Sequence, residues 1–464
     1  IEFKGDSISC AQICSYRHLI YMIHNIKLFF SVASWALALP VVLLANQLAI
    51  PVLRVLQDAA LISFASLLMV AMLGLRAQTL IVTIILFGLG FLLLPDIPSL
   101  GELREAGAFV LIFACLMPTL ALVRATAMTM PSVWRTQKAL GALSPEHSAS
   151  GLQLASHMLG GVMNTGSFAL VAASLPDDAD ERRRRVAAEA ALRGMNSSVV
   201  WSPFFIGFAV AGAYLPSGFA IGAIGFGVVT AILFYVITAA CAAPATARFA
   251  FIQSLQPLRP VGLRLAVAIG SVVLVSAITG LTALYAVVLT MPILCLIQMV
   301  RRPNTGRAIL SHFATLQKQS GDELLIISVS MIIAALAHNS QVLPELATMV
   351  FGGTLPVWQM IWVLPVFVWF GSIFGVHPVI SSAPLLALFS PHLTVFDAMF
   401  IMQGHMIGWS TGTMSSIASL SVITVADQFG LRPAQLAFGR NLMASGGLAI
   451  GGGGLWALVY IILT

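Results

Sequence analysis

The sequence predicts an all-α polytopic membrane protein, and three observations carry that prediction. The chain is 59% hydrophobic and only 9% charged over 464 residues. Its mean hydropathy is +0.97, and apolar runs of helix length recur from end to end. Soluble domains carry about 25% charged residues. A helix needs about 20 apolar residues to cross a hydrocarbon core about 30 Å thick, and runs of that order occupy 28–48, 59–75, 80–94, 108–127, 219–240, 265–281, 284–300 and 324–337. They leave no room for a sizeable soluble domain.

The formal charge of +6 does not point to nucleic acid, because the basic residues sit in short loops between spans rather than on one helix face among aromatics. Arg17, Lys27, Arg76, Arg135, Lys138, Arg182 to Arg185, Arg248, Arg259, Arg264, Arg301, Arg302, Arg307 and Lys318 fall on one side of the predicted spans, against Arg54, Arg104 and Arg432 on the other. By the positive-inside rule the first side is cytoplasmic, which places the N-terminus inside and suits a multi-pass protein of a bacterial inner membrane. Residues 1–24 read as a polar tail. Of five cysteines, Cys115, Cys241 and Cys295 lie in apolar runs as small hydrophobes, and Cys10 and Cys14 lack the second pair or histidines that a zinc site needs. No cofactor is expected.

An internal repeat gives the chain its organisation. The run "HMLGGVMNTGSFALVAASL" from His157 recurs as "HMIGWSTGTMSSIASLSVI" from His405, and "AAEAALRGMNSS" from Ala187 recurs as "AQLAFGRNLMAS" from Ala434. The pairs include Thr165 with Thr413, Ser167 with Ser415, Arg193 with Arg440 and Ser198 with Ser445. Two matched blocks in one order point to a duplication, with repeat 1 at 25–260 and repeat 2 at 261–464. The loop "PDDADERRRRV" is arginine-rich and its counterpart "TVADQFGLRP" has one arginine, so the copies are expected to be inverted, with these loops on opposite faces. Span counting agrees if 378–389 crosses the membrane. Inverted repeats with polar, interrupted segments at matching places are the sequence sign of a secondary transporter.

Within each repeat the polar block reads as a re-entrant hairpin, at about 149–176 and about 396–424, followed by an interrupted helix at about 186–215 and about 433–463. Each hairpin arm reaches about half way across at 1.5 Å per residue. The tips are expected at 162–166 and 409–414, where broken backbone is tolerated only against protein or a watery cavity. Half-helix ends there offer carbonyls to a cation or amides to an anion. Asn164, Thr165, Ser167, Ser410, Thr411, Thr413, Ser415 and Ser416 add oxygen ligands suited to a hard cation. Gly166 and Gly412 complete the two tips. The plainer reading is that such small residues let helices pack closely, and the run 451–454 is read that way.

On these residues the hairpin "MNTGSFALVAASLP" resembles the Ser-Asn-Thr hairpins of the divalent-anion/sodium symporters within the ion transporter superfamily. The resemblance implies sodium held at each hairpin tip with the break in the following helix. Here those are Asn164 and Thr165 with Asn196, Ser197 and Ser198, then Ser410 to Thr413 with 444–447, Ser445 included. Substrate would lie between the tips, and a mobile unit would work against a scaffold, often in a homodimer. Met163 stands where the family has its first serine, and the second tip has no asparagine.

Charged residues inside spans are functional candidates by default. Arg193 and Arg440 could hold an anion through their fork of donors, or could clamp carbonyls or snorkel, with Glu189 one turn before Arg193 as a structural partner. His157, His405 and His377 are candidates for bracing the hairpins or for carrying a coupling proton, and Pro378 disfavours helix at His377. Asp and Glu look confined to loops and span ends, Glu189 and Asp397 being the nearest to hydrocarbon. That scarcity favours an anionic substrate over a cation. The expected function is secondary transport of a small, organic anion coupled to sodium or protons. The alternatives are a cation/proton or metalloid-anion antiporter of the same superfamily and, further off, a membrane enzyme acting on lipid-linked substrates. The two longest predicted loops, 128–146 and 301–323, lack the acid, histidine or cysteine cluster that an enzyme should show, so no enzyme is expected.

Overall fold

The computed structural model describes residues 10–44, 51–94, 96–143, 145–216, 218–242, 255–338, 355–390 and 393–464, with a few positions between 342 and 353. The described residues form helices and no strand. The first group is α1 (Cys10–Leu44), α2 (Pro51–Met72), α3 (Ala77–Leu93), α4 (Leu100–Val110), α5 (Ile112–Met128) and α6 (Pro131–Gly141). A capping box at Ser99 and Glu102 starts α4, satisfying first-turn amides that would otherwise lack partners. Next come α7 (Pro145–Met163), α8 (Gly166–Ala172), α9 (Glu181–Val199), α10 (Ile206–Tyr214) and α11 (Ala220–Ala242). After them lie α12 (Arg259–Thr279), α13 (Ala283–Arg301), α14 (Gly306–Gln319) and α15 (Gly321–His338). The chain ends with α16 (Val357–Ile373), α17 (Pro378–Phe389), α18 (Val395–Ser415), α19 (Leu420–Phe429), α20 (Pro433–Ala437), α21 (Arg440–Gly447) and α22 (Gly453–Leu463), with a π-turn over Leu448–Gly452.

Among the described residues seven helices are long and apolar enough to cross a membrane: Met22–Leu44, Val52–Met72, Leu100–Met128, Ala220–Thr238, Gln256–Thr279, Ala283–Arg301 and Arg440–Leu463. Large apolar side chains such as Phe91 and Ile278 stand outward on the helices, where water would disfavour them and lipid would not. The protein is a multi-pass all-α membrane protein.

The chain doubles back twice. Between α7 and α8, Asn164 takes a left-handed backbone (φ 53°), and the Ser156 and Ser167 hydroxyls then lie 3.4 Å apart. A continuous helix would separate those positions by about 16 Å. The far end of α8 returns to α6, where Gln137 Nε2 donates to the Ala173 carbonyl (3.0 Å). Between α16 and α17, Gly375 is left-handed (φ 84°), and a Cβ added to Gly371 would come 4.0 Å from the Ser381 hydroxyl.

Each reversal leads into a long helix that breaks and continues as a short one: α9 into α10, and α18 into α19. The packing is reciprocal. The ingoing helix α7 packs on α9 as α16 does on α18, while α10 crosses to α17 and α19 crosses to α8. At the centre Ser410 Oγ donates to the Asn196 carbonyl (2.7 Å) and Thr413 Oγ1 donates to Asn196 Oδ1 (2.6 Å). From that contact α19 leads to the start of α9, where a Cβ added to Gly430 would lie 3.1 Å from Arg184 Nη1. Likewise α10 leads to the start of α18, where a Cβ on Gly218 would lie 3.6 Å from Val395.

Several sequence expectations change. Helix extends back to Cys10, ahead of the candidate span Met22–Leu44, and residues 1–9 of the expected tail lie outside the described residues. The segment 396–424 is not a hairpin with its tip at 409–414. One unbroken helix runs through Val395–Ser415, and the break falls at 416–419. Thr411 and Ser415 donate to carbonyls four residues back, and Gly404, Gly408 and Gly412 press against α16. Those small residues form a packing stripe at helical spacing.

The segment 378–389 is a helix of 12 residues, about 18 Å long, too short to cross alone. The breaks in the two interrupted regions also move. Asn196 to Ser198 remain helical and the first break comes at 200–205, where Pro203 has no amide to offer. In the second, 444–447 is helical and interruptions fall at 438–439 and in the π-turn. The loops "PDDADERRRRV" and "TVADQFGLRP" do not face apart, since Arg185 Nη2 donates to the Gln435 carbonyl (3.4 Å). The two predicted long loops contain helices: α6 buries Val133, Thr136 and Leu140, and α14 buries Ile309, Phe313 and Gln317, each with the three-to-four spacing of an amphipathic helix.

Candidate functional site

A cavity of about 490 Å³ opens where the two reversals and the second helix break converge. Asn164 and Thr165 from the first turn, Gly375, His377 and Pro378 from the second, and Ser416, Ala418 and Ser419 from the break line it. The opposite wall comes from Arg76 and Thr79 at the start of α3, Arg124 on α5, and Ser320, Asp322 and Glu323 at the bend between α14 and α15. That bend is 53°.

Local chemistry explains each break. Ser202 donates its hydroxyl to the Gly161 carbonyl, tying the interruption after α9 to the end of α7. In the second break Ser419 Oγ donates to the Thr413 carbonyl (2.6 Å) and accepts from the Val422 amide (3.1 Å). Hydroxyls thus replace the backbone partners lost when a helix opens. His377 is extended, as a residue before proline tends to be, and its Nδ1 accepts from the Val379 amide (3.3 Å), capping α17.

Four helices of eight residues or more begin at this cavity: α10 at Ile206, α15 beside Glu323, α17 at Pro378 and α19 at Leu420. Each N-terminus carries the equivalent of about half a positive charge. Arg124 adds a full one. Its Nη1 donates to Thr165 Oγ1 (3.3 Å), and its buried Nε has no partner. A Cβ on Gly166 would lie 2.8 Å from that Nε, so the glycine lets the guanidinium seat beside the turn. The Thr165 hydroxyl already faces a cation, which electrostatically disfavours sodium at the same oxygen.

Of the residues singled out from the sequence, the cavity gathers Asn164, Thr165, His377 and Ser416. Gly166 and Ser167 stand just behind the first turn, Ser167 donating to the Asn164 carbonyl (2.9 Å). Asn196, Ser410 and Thr413 meet one another in the helix crossing instead, Thr411 donates to its own helix, and Gly412 serves the α16 contact. Ser197 and Ser198 donate to their own helix. Ser445 accepts from Trp369 Nε1 (3.0 Å) and donates to the Leu442 carbonyl. Arg193 is engaged structurally, donating to Asn441 Oδ1 (2.9 Å) with Glu189 3.9 Å away, and Arg440 is exposed.

The remaining histidines brace. Trp201 Nε1 donates to His157 Nε2 (3.3 Å), so that nitrogen is unprotonated and Nδ1 donates to Ser197 Oγ (2.9 Å). His405 Nε2 donates to the Gly207 carbonyl (2.9 Å). Both rings therefore join a long helix to a break.

Sequence reasoning missed Arg124 and the carboxylates of the cavity. Arg124 lay inside an apolar run already recognised as a span, and an arginine in such a run was the available signal. Asp322 and Glu323 fell in a predicted loop, and only the bend at Ser320 carries them to the wall. Both stand at a span end, in the first turn of α15, and that span end lies on the cavity. The chain matches no protein family and no curated protein.

Proposed function

We propose that the protein is a secondary transporter of a small anion, with α7–α10 and α16–α19 as inverted copies whose reversals enter the membrane from opposite faces. On this reading the two turns and two breaks lie near the midplane, and the unit they form moves against α1–α5 and α12–α15. The single observation that carries it is the cavity where Arg124, the turn at Asn164 and Thr165, and four helix N-termini converge. An anion there would meet preorganised positive potential without needing new backbone donors. The cavity volume suits a molecule of a few carbons, such as an organic acid. The surrounding membrane would be a bacterial inner membrane, with the N-terminus on its cytoplasmic face.

Asp322, Glu323 and Asp427 around the same cavity favour a second reading, exchange of a cation for protons. One experiment separates the two. Purified protein in proteoliposomes is offered labelled acetate, succinate, phosphate and sulfate, and separately sodium and potassium, under imposed sodium and proton gradients. Gradient-driven uptake of one anion supports the proposal. Cation exchange without anion uptake supports the second reading, and no gradient-driven flux of any solute sinks both.

A further inference from the structure

Resting on the transport reading above, we infer that Glu323 is the proton-carrying partner of the bound anion: the anion pairs with Arg124 when a proton neutralises Glu323 on the same wall. Glu323 stands in the first turn of α15, half-buried and on the cavity wall. Among the described residues it has no hydrogen bond and no ion pair at contact distance, and Arg124 lines the same cavity. Arg124 in turn is held at Nη1 by Thr165, with Nε unpartnered. A charged Glu323 offsets Arg124 and repels a second anion at close range. A proton taken from the medium onto a Glu323 carboxyl oxygen removes that repulsion and leaves the guanidinium for the anion. One proton then travels with one anion and departs with it.

The other charged groups at the cavity are differently placed. Asp322 accepts from Thr79 Oγ1 (3.0 Å) and pairs with Arg76 (3.5 Å), and Lys27 of α1 stands 3.5 Å from where a Cβ on Gly321 would be. Asp322 is thus engaged by a basic group and a hydroxyl on its own side of the cavity. His377 accepts at Nδ1 from Val379, and Asp427 of α19 faces the cavity as well. These two are the rivals for the proton.

The test uses the full chain in proteoliposomes, with labelled acetate, succinate, phosphate and sulfate as probes. Uptake driven by a proton gradient is measured alongside one-for-one exchange at equal pH inside and out. For the probe transported, apparent affinity is expected to fall about tenfold per pH unit on the alkaline side, the mark of one linked proton. Glu323→Gln is expected to flatten that slope and abolish accumulation driven by the proton gradient, whereas His377→Gln and Asp427→Asn keep the slope. A flat wild-type profile, an unchanged slope in Glu323→Gln, or a slope removed by His377→Gln or Asp427→Asn overturns the inference and leaves anion transport standing. No uptake of any probe removes the transport reading and this inference with it. Should Glu323→Gln not assemble, Glu323→Asp decides: a shifted midpoint of the pH profile supports the carrier role, and an unmoved midpoint overturns it.

Discussion

Thr413 donates its hydroxyl to Asn196 Oδ1 across 2.6 Å, joining the two broken helices α18 and α9 beside their breaks. Side-chain hydrogen bonds between membrane helices contribute about 0.6 kcal/mol on average and up to about 1.7. A double-mutant cycle on Thr413→Val and Asn196→Ala, read by unfolding in detergent, is expected to give a coupling within that range. Additive effects would show that the contact stabilises nothing.

Arg193 and Glu189 form a buried charged pair, shared on one side with Arg185 (3.0 Å from Glu189) and on the other with Asn441. Removing one member of a buried pair leaves an uncompensated charge, a loss of about 3–5 kcal/mol. Arg185 still faces Glu189 when Arg193 is removed, so the charge left bare is that of Arg193 when Glu189 is lost. Glu189→Gln is therefore expected to lower the yield of folded protein sharply, and Glu189→Gln with Arg193→Met to recover much of it. Normal thermal stability of Glu189→Gln would contradict this assignment and return Arg193 to the candidates for substrate contact.

Gly194 seats α9 on α7 so closely that an added Cβ would lie 2.0 Å from the Gln153 carbonyl oxygen, whereas nothing lies within 4 Å of a Cβ on Gly225 in α11. The backbone oxygen cannot yield as a side chain would. Gly194→Ala is expected to disrupt assembly, and Gly225→Ala to leave melting temperature unchanged or slightly raised. Size-exclusion profiles and thermal melts of the two variants check the contrast.

The contact between Arg185 and Gln435 places the start of α9 and the α19–α20 connection together, while Val395 at the start of α18 lies by Gly218. In a cysteine-free background, Asp178→Cys and Arg432→Cys are expected to react with a membrane-impermeant maleimide from the same face of sealed vesicles. Phe396→Cys should react from the other face. Labelling of Asp178→Cys and Arg432→Cys from opposite faces would restore the pairing of loops that sequence comparison suggested.

Much of the first reversal was legible because Asn164, Thr165 and Gly166 interrupt an apolar run with residues that leave helix easily. The second was misplaced because the same residue types serve two opposite ends. Gly404, Gly408 and Gly412 recur every fourth position, which is the spacing of a helix seam and not of a break. The actual second turn, at Gly375 to Pro378, carried its own signal in a glycine and a proline flanking His377.

By itself the sequence determined that this chain is a helical, multi-pass membrane protein, because hydrophobic length and the lack of charge are local properties of each segment. It also determined that polar interruptions exist, since composition alone discloses them. Which interruptions open the helix, and which charges meet in the cavity, only the tertiary structure decided. Arg124 on α5 and Glu323 on α15 share one wall because helices distant in the chain pack side by side, and no local pattern encodes that neighbourhood.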